Sequence, residues 1–133
     1  LHIQEIDSRI LKVAHLLQLN FFYELARQVN FNIVMDRFYP SEIVYGGLFR
    51  DINENAIYSF DKLFANLDTK IIICLKKDYS KYQDKIDVIN ERILDIHQMY
   101  IRFANWTSCS SLILYTDNEN IDDQLNTMEK FLK

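Results

Sequence analysis

The stretch Lys70-Ile71-Ile72-Ile73-Cys74-Leu75 decides the fold class that this sequence predicts. Its apolar residues are consecutive and do not alternate with polar ones, which is typical of a strand covered on both faces. The three isoleucines are β-branched and favour strand backbone. We therefore expect a central, buried strand at residues 70–75.

Two further apolar stretches, one before and one after it in the sequence, also predict strands. Residues 31–35 read FNIVM and are ended by the charged pair Asp36-Arg37, so we expect a buried strand over Asn32–Asp36. Ser111–Tyr115 predicts a third strand, later in the chain.

Helical patterns separate these predicted strands. Apolar residues recur at helical spacing from Ile3 to about Val29 and from Tyr82 to Phe103. Shorter helices are predicted at residues 40–50, 53–67 and 121–132. The first opens with Pro40, whose missing N–H costs nothing at an early helical position, and the last begins near Asn120.

This alternation predicts an α/β fold, in which a parallel sheet has helices on both faces in three α/β/α layers. One such domain would span residues 1–133. Ligands of these folds bind beyond the carboxyl ends of the strands. That rule selects three places: residues 36–38, 76–78 and 116–118.

Composition limits the classes of partner. Hydrophobic residues make up 49% and charged residues 26%, with no apolar run near the ~20 residues of a membrane span, so no membrane partner is expected. The net charge of -4 argues against a nucleic-acid polymer but allows a small anionic ligand. Cys74 and Cys109 lie in or beside apolar stretches, as buried free thiols do, and predict a reducing, cytoplasmic location. The three histidines lack ligand spacing, so no metal site is expected among them.

The richest of the three places is residues 36–47, which read DRFYPSEIVYGG. A carboxylate at Asp36 could orient a metal-bound water, and the neighbouring guanidinium of Arg37 could grip a phosphate with two hydrogen bonds. An ion pair at a strand end followed by an ordinary helix start explains the same spacing equally well.

The same residues resemble a known family. Asp36-Arg37-Phe38 followed by Ser41-Glu42-x-Val44-Tyr45-Gly46 is similar to the segment after the third strand in thymidylate kinases and related deoxynucleoside and deoxynucleotide kinases of the P-loop superfamily. The order of the elements and the helix containing residues 15–24 are similar too. The resemblance implies an enzyme that transfers the ATP γ-phosphoryl group, with Mg²⁺, to a deoxynucleoside monophosphate, and it allows a homodimer. The alternatives are a deoxynucleoside kinase and a noncatalytic relative used for binding or assembly.

The resemblance also implies roles for single residues. Arg37 would bind the acceptor phosphate or the 5′ region of the nucleoside, and Asp36 would serve the metal and the reacting oxygen without a direct metal bond. The acceptor pocket would be lined by Phe38, Ser41 and Tyr45, with Arg50 a weaker candidate. On the adenine side, Asp117 and Asn118 are the candidates.

The sequence departs from the family at three points. No G-x-x-x-x-G-K-[ST] segment occurs, so this chain alone is not expected to phosphorylate anything. We expect about 30–50 further residues before Leu1, carrying a phosphate loop and a first strand between the strands at 32–36 and 70–75. Phe22 stands where the family usually has a substrate-binding arginine. After Leu75, where the family usually has lid arginines, this sequence has lysines but no arginine before Arg92, so either the lysines substitute for the arginines or a lid segment is absent.

Overall fold

The computed structural model describes residues 8–49, 55–117 and 120–133. This part of the chain is mixed α/β, with six helices and a parallel sheet of two strands. The elements are α1 (Ser8–Gln28), α2 (Tyr39–Phe49), α3 (Asn55–Ala65), β1 (Lys70–Leu75), α4 (Asp87–Glu91), α5 (Ile93–Trp106), β2 (Ser110–Tyr115) and α6 (Ile121–Leu132).

The two strands form a regular parallel ladder. Lys70 of β1 is opposite Ser110 of β2, and the register continues without a bulge to Leu75 opposite Tyr115. Helices α4 and α5 form the crossover between the strands. The bounds predicted for β1 are confirmed, and those for β2 are confirmed to within one residue.

Three buried aromatic side chains pack together in the core between the sheet and the helices. Tyr39, the first residue of α2, is 1% exposed and stacks on Phe64 of α3 with ring centroids 5.4 Å apart. Phe103 of α5 meets Tyr39 edge-on at 6.0 Å. These contacts hold α2, α3 and α5 together beside the strands.

The buried strand predicted over Asn32–Asp36 is wrong. Residues 32–35 have no regular secondary structure, and the side chain of Val34 is 95% exposed. A strand needs a neighbour to pair with its backbone. Within the described residues, β1 pairs only with β2. The prediction that β1 is central is therefore also wrong for this part of the chain. Of the two cysteines predicted to be buried, Cys109 is buried and Cys74 of β1 is exposed.

The long helix predicted from Tyr82 to Phe103 is interrupted. Arg92 has a φ of -109°, outside the helical range, and separates α4 from α5. Residues 82–86 lie before α4 in a loop that Asn90 holds: its side chain accepts from the N–H of Asp84 at 2.6 Å and donates to the Asp84 carbonyl at 3.0 Å. Side-chain hydrogen bonds of this kind compete with helix formation.

The other helices lie close to their predicted positions. Pro40 is the second residue of α2. The described part of α3 begins at Asn55, and the predicted residues 53 and 54 lie outside the described residues. The side chain of Asn120 accepts a hydrogen bond from the N–H of Asp123 at 2.9 Å and so caps α6. In α1 the described helix begins at Ser8, and the predicted residues 3–7 lie outside the described residues. None of the helices described here is long and apolar enough to cross a membrane.

Candidate functional site

A cleft of about 300 Å³ opens between α1, the turn before α2, α2 itself and α4. Each element contributes a different kind of side chain. The lining residues are His15, Gln18 and Leu19 of α1, Arg37 and Phe38 of the turn, Tyr39, Ser41, Glu42 and Tyr45 of α2, and Ile89 of α4.

The backbone of Arg37 is unusual. Its φ is 59°, in the left-handed region that residues other than glycine seldom adopt. The only other such residue in the described ranges is Asp68, with a φ of 54°. Asp68 follows α3, where a left-handed residue commonly ends a helix. Arg37 precedes a helix instead, so helix termination does not explain its conformation. Strained backbone of this kind clusters at functional sites.

The side chain of Arg37 lies beside aromatic residues at the cleft. Its guanidinium carbon is 6.0 Å from the centroid of the Tyr45 ring, at the limit of a cation–π contact. No acidic side chain in the described ranges forms an ion pair with it. Its guanidinium can therefore offer two parallel N–H groups to a bound anion.

Ser41 and Tyr45 are held by α5. The Oγ of Ser41 and the phenol oxygen of Tyr100 are 3.0 Å apart and share a hydrogen bond. Burial raises the pKa of Tyr100, so this phenol stays protonated at neutral pH. The Tyr45 ring meets Tyr100 edge-on at 6.4 Å and stacks on Phe49 at 5.9 Å. The structure thus brings together four predicted residues: Arg37, Phe38, Ser41 and Tyr45.

Sequence reasoning missed a polar pair that connects α1 and α2 at the cleft. Nδ1 of His15 lies 3.2 Å from Oε2 of Glu42, within ion-pair distance but without the alignment of a hydrogen bond. Gln18 lies three residues after His15, on the same side of α1. That spacing could have indicated a polar patch on α1, but not that the patch faces α2.

No family model, curated protein or solved structure matches the chain. The features of the chain that bear on its function are therefore the cleft itself and the resemblance carried by residues 36–46.

Among the described residues, two predicted site residues, Asp36 and Asp117, do not line the cleft. Asp36 is exposed in the turn before Arg37 and is not among the lining residues. Arg50 and Asn118 lie outside the described residues. Phe22, at the position where the family usually has an arginine, meets Phe38 edge-on at 5.6 Å and supports the wall of the cleft from behind.

Asp117 connects the carboxyl ends of the two strands. Its carboxylate accepts hydrogen bonds from the N–H of Lys77 at 2.9 and 3.0 Å and from the N–H of Asp78 at 2.9 Å. These hydrogen bonds lower the pKa of Asp117. The side chain thus holds the loop after β1 in place, and its role on the adenine side remains a prediction.

The described residues contain no group of three or more His, Cys, Asp or Glu side chains that could hold a metal ion. Mg²⁺ at phosphate sites usually keeps several waters and takes one or two carboxylates together with substrate phosphates. The exposed carboxylate of Asp36, next to Arg37, could accept a hydrogen bond from a water bound to such an ion.

Proposed function

We propose that this chain is the acceptor-binding part of a nucleoside monophosphate kinase of the thymidylate-kinase-like group. In this proposal, the cleft beside Arg37 binds a deoxynucleoside monophosphate. The observation that carries it is Arg37 itself, a cationic side chain on strained backbone with a φ of 59°, at the edge of an aromatic cleft.

The cleft has side chains suited to both the phosphate and the base of a nucleotide. The guanidinium of Arg37 matches a phosphate with two hydrogen bonds. The side chains of Phe38 and Tyr45 line the cleft and provide aromatic surface against which a planar base can pack. Gln18 and Glu42 provide donors and acceptors for its polar edge. A volume of about 300 Å³ lies at the lower end of the range for small-molecule sites.

Phosphoryl transfer depends mainly on positioning and on positive charge near the transferred group. Arg37 would hold the acceptor phosphate, and Ser41 would be kept in place beside it by Tyr100. Asp36 would orient a water bound to Mg²⁺, and this ion, when bound with ATP, neutralises charge on the phosphates. The chain lacks a phosphate-loop motif, so the proposal for these 133 residues is acceptor binding and not transfer.

The proposed fold is the three-layer α/β/α arrangement of P-loop kinases. In it, a further strand would lie against β1 on the side away from β2. That edge of β1 is unpaired within the described residues. An unpaired edge of an apolar strand is normally covered by another segment.

A noncatalytic binding module is the second candidate. The observation that favours it is the missing phosphate-loop motif in the printed sequence. Both candidates predict ligand binding in the cleft, but only the kinase requires the ligand to be a phosphate acceptor.

A calorimetric panel tests the proposal. The chain would be titrated with thymidine, with its 5′-monophosphate and with the other deoxynucleoside monophosphates. We expect at least one monophosphate to bind more tightly than its nucleoside by about tenfold or more, because a charge-assisted contact contributes about 1.5–3 kcal/mol. Equal binding of nucleoside and monophosphate would favour the deoxynucleoside kinase. No binding by any nucleotide would overturn the nucleotide site.

A further inference from the structure

Asp61 is the only charged residue that is buried in the described part of the chain, with 1% of its surface exposed. Its carboxylate accepts three hydrogen bonds: from the phenol of Tyr39 at 2.7 Å, from the hydroxyl of Thr107 at 2.5 Å and from the N–H of Ser108 at 2.6 Å. The donors come from the start of α2 and from the connection between α5 and β2. A buried carboxylate requires such partners, and this one ties two parts of the fold to α3.

Tyr39, the first donor, lies two residues after Arg37. Burial is the main reason that the pKa of Tyr39 is raised, and its phenol therefore remains a donor at neutral pH. Phe38, between them, meets Phe64 edge-on at 5.2 Å and Phe22 at 5.6 Å. Both residues that follow Arg37 are thus fixed in the core.

Strained backbone persists only where its surroundings determine it from several sides. Arg37 itself is exposed, its guanidinium is 6.0 Å from the centroid of the Tyr45 ring, and its charge adds a small part to the lowering of the pKa of Asp84, which is due mainly to a hydrogen bond from Tyr82. Neither contact is a hydrogen bond or an ion pair of Arg37 within the described residues. The restraint on its φ of 59° must therefore come through the chain, from the anchored Phe38 and Tyr39. Of these two anchors, Tyr39 is the polar one, and it is held by Asp61.

We propose that Asp61 is a positioning residue for the cleft. By holding the phenol of Tyr39, its carboxylate keeps Arg37 in the left-handed conformation that directs the guanidinium to the ligand. The effect on ligand affinity rests on the proposed function, whereas the effect on the backbone of Arg37 does not.

The test uses Asp61→Asn and the milder Tyr39→Phe, which removes only the phenolic oxygen. Leu114→Val is the control for general destabilisation, because Leu114 is buried on β2 outside the core cluster that contains Tyr39. Two quantities are measured in each folded variant: the φ of Arg37, from NMR scalar couplings, and the ratio of affinities for a deoxynucleoside monophosphate and its nucleoside.

We expect both Asp61→Asn and Tyr39→Phe to move Arg37 out of the left-handed region for part of the time. We also expect them to reduce the affinity ratio by about tenfold, as loss of an aligned charge-assisted contact would. Leu114→Val should leave both quantities unchanged. If the wild-type chain bound the monophosphate no more tightly than the nucleoside, the proposed function would be wrong. The φ of Arg37 in the variants would still show whether Asp61 positions its backbone. Arg37 retaining its positive φ in Tyr39→Phe and in any folded Asp61→Asn would overturn the positioning role.

Discussion

The phenol of Tyr39 donates a hydrogen bond of 2.7 Å to the buried carboxylate of Asp61 and so joins the start of α2 to the middle of α3. This contact connects the core of the protein to the turn that carries Arg37. Its strength can be measured separately from any ligand.

Removing the Tyr39 hydroxyl should destabilise the fold. We expect Tyr39→Phe to lower the free energy of unfolding by about 1–3 kcal/mol, because a buried carboxylate loses one of its donors. Urea denaturation measures this. Tyr58→Phe is the control, since Tyr58 is 37% exposed and the change should stay within about 0.5 kcal/mol. Equal effects of the two substitutions would show that the Tyr39 hydrogen bond does not stabilise the fold.

A substitution at Val34 tests whether residues 32–36 are exposed, as in the structure, or form a buried strand. Because its side chain is 95% exposed, we expect Val34→Lys to change the free energy of unfolding by no more than about 0.5 kcal/mol. Val44 of α2 is fully buried, and Val44→Lys should cost about 4 kcal/mol or more or prevent folding. A large loss of stability in Val34→Lys would show that residues 32–36 are buried after all.

The pH dependence of the free energy of unfolding should show a contribution from the ionised carboxylate of Asp117. Its pKa is lowered in the folded state by hydrogen bonds from the N–H groups of Lys77 and Asp78. A lowered carboxylate pKa contributes stability that is complete above the unfolded value and is lost as pH falls through the folded value. Asp117→Asn should therefore reduce the loss of stability between about pH 5 and pH 2.

The control for this experiment is Asp122→Asn, at an exposed position in the first turn of α6. It should leave most of the acid dependence in place. An identical pH profile for Asp117→Asn and the wild type would contradict the role of the carboxylate in holding the loop after β1.

The substitution Arg37→Gly should affect nucleotide binding without lowering the stability of the fold. A left-handed residue other than glycine costs about 1–2 kcal/mol, and glycine itself costs about 0.5–1 kcal/mol through its freedom in the unfolded chain. We expect Arg37→Gly to leave the free energy of unfolding unchanged or to raise it by up to about 1 kcal/mol, while nucleotide binding is lost.

Asp68→Gly is the matched control, because Asp68 has nearly the same backbone conformation at the end of α3. It should change stability in the same direction and leave binding intact. Marked destabilisation by Arg37→Gly alone would mean that the Arg37 side chain serves the fold and not a ligand.

Elements with a complete local pattern could be predicted from the sequence. The isoleucine run gives β1 its bounds, Pro40 is accommodated at the start of α2, and Asn120 caps α6. The segment at residues 32–36 has β-branched residues too, but a strand also needs a partner, and pairing is not encoded locally. The apolar periodicity from Tyr82 onward predicts one continuous helix. It does not show that the side chain of Asn90 forms hydrogen bonds with the backbone of Asp84, and these hold a loop before α4.

The same distinction applies to the cleft. Arg37, Phe38, Ser41 and Tyr45 could be predicted together because they lie on one turn and one helix. His15 and Gln18 were not predicted as site residues, because only the tertiary structure, in which α1 packs against α3, places them near α2. Asp61 was missed because a single acidic residue in an amphipathic helix is normally exposed to solvent.

The central claim is that Arg37 binds the phosphate of a nucleotide in the cleft. Isothermal titration with the tightest-binding deoxynucleoside monophosphate tests it in the wild type and in Arg37→Gln, which removes the charge but keeps a residue with similar backbone preferences. Arg102→Gln removes one positive charge from an exposed position on α5 and serves as the control. We predict that Arg37→Gln weakens binding by about tenfold to a hundredfold, whereas Arg102→Gln changes it by less than about twofold. Equal affinities of the wild type and Arg37→Gln would contradict the account.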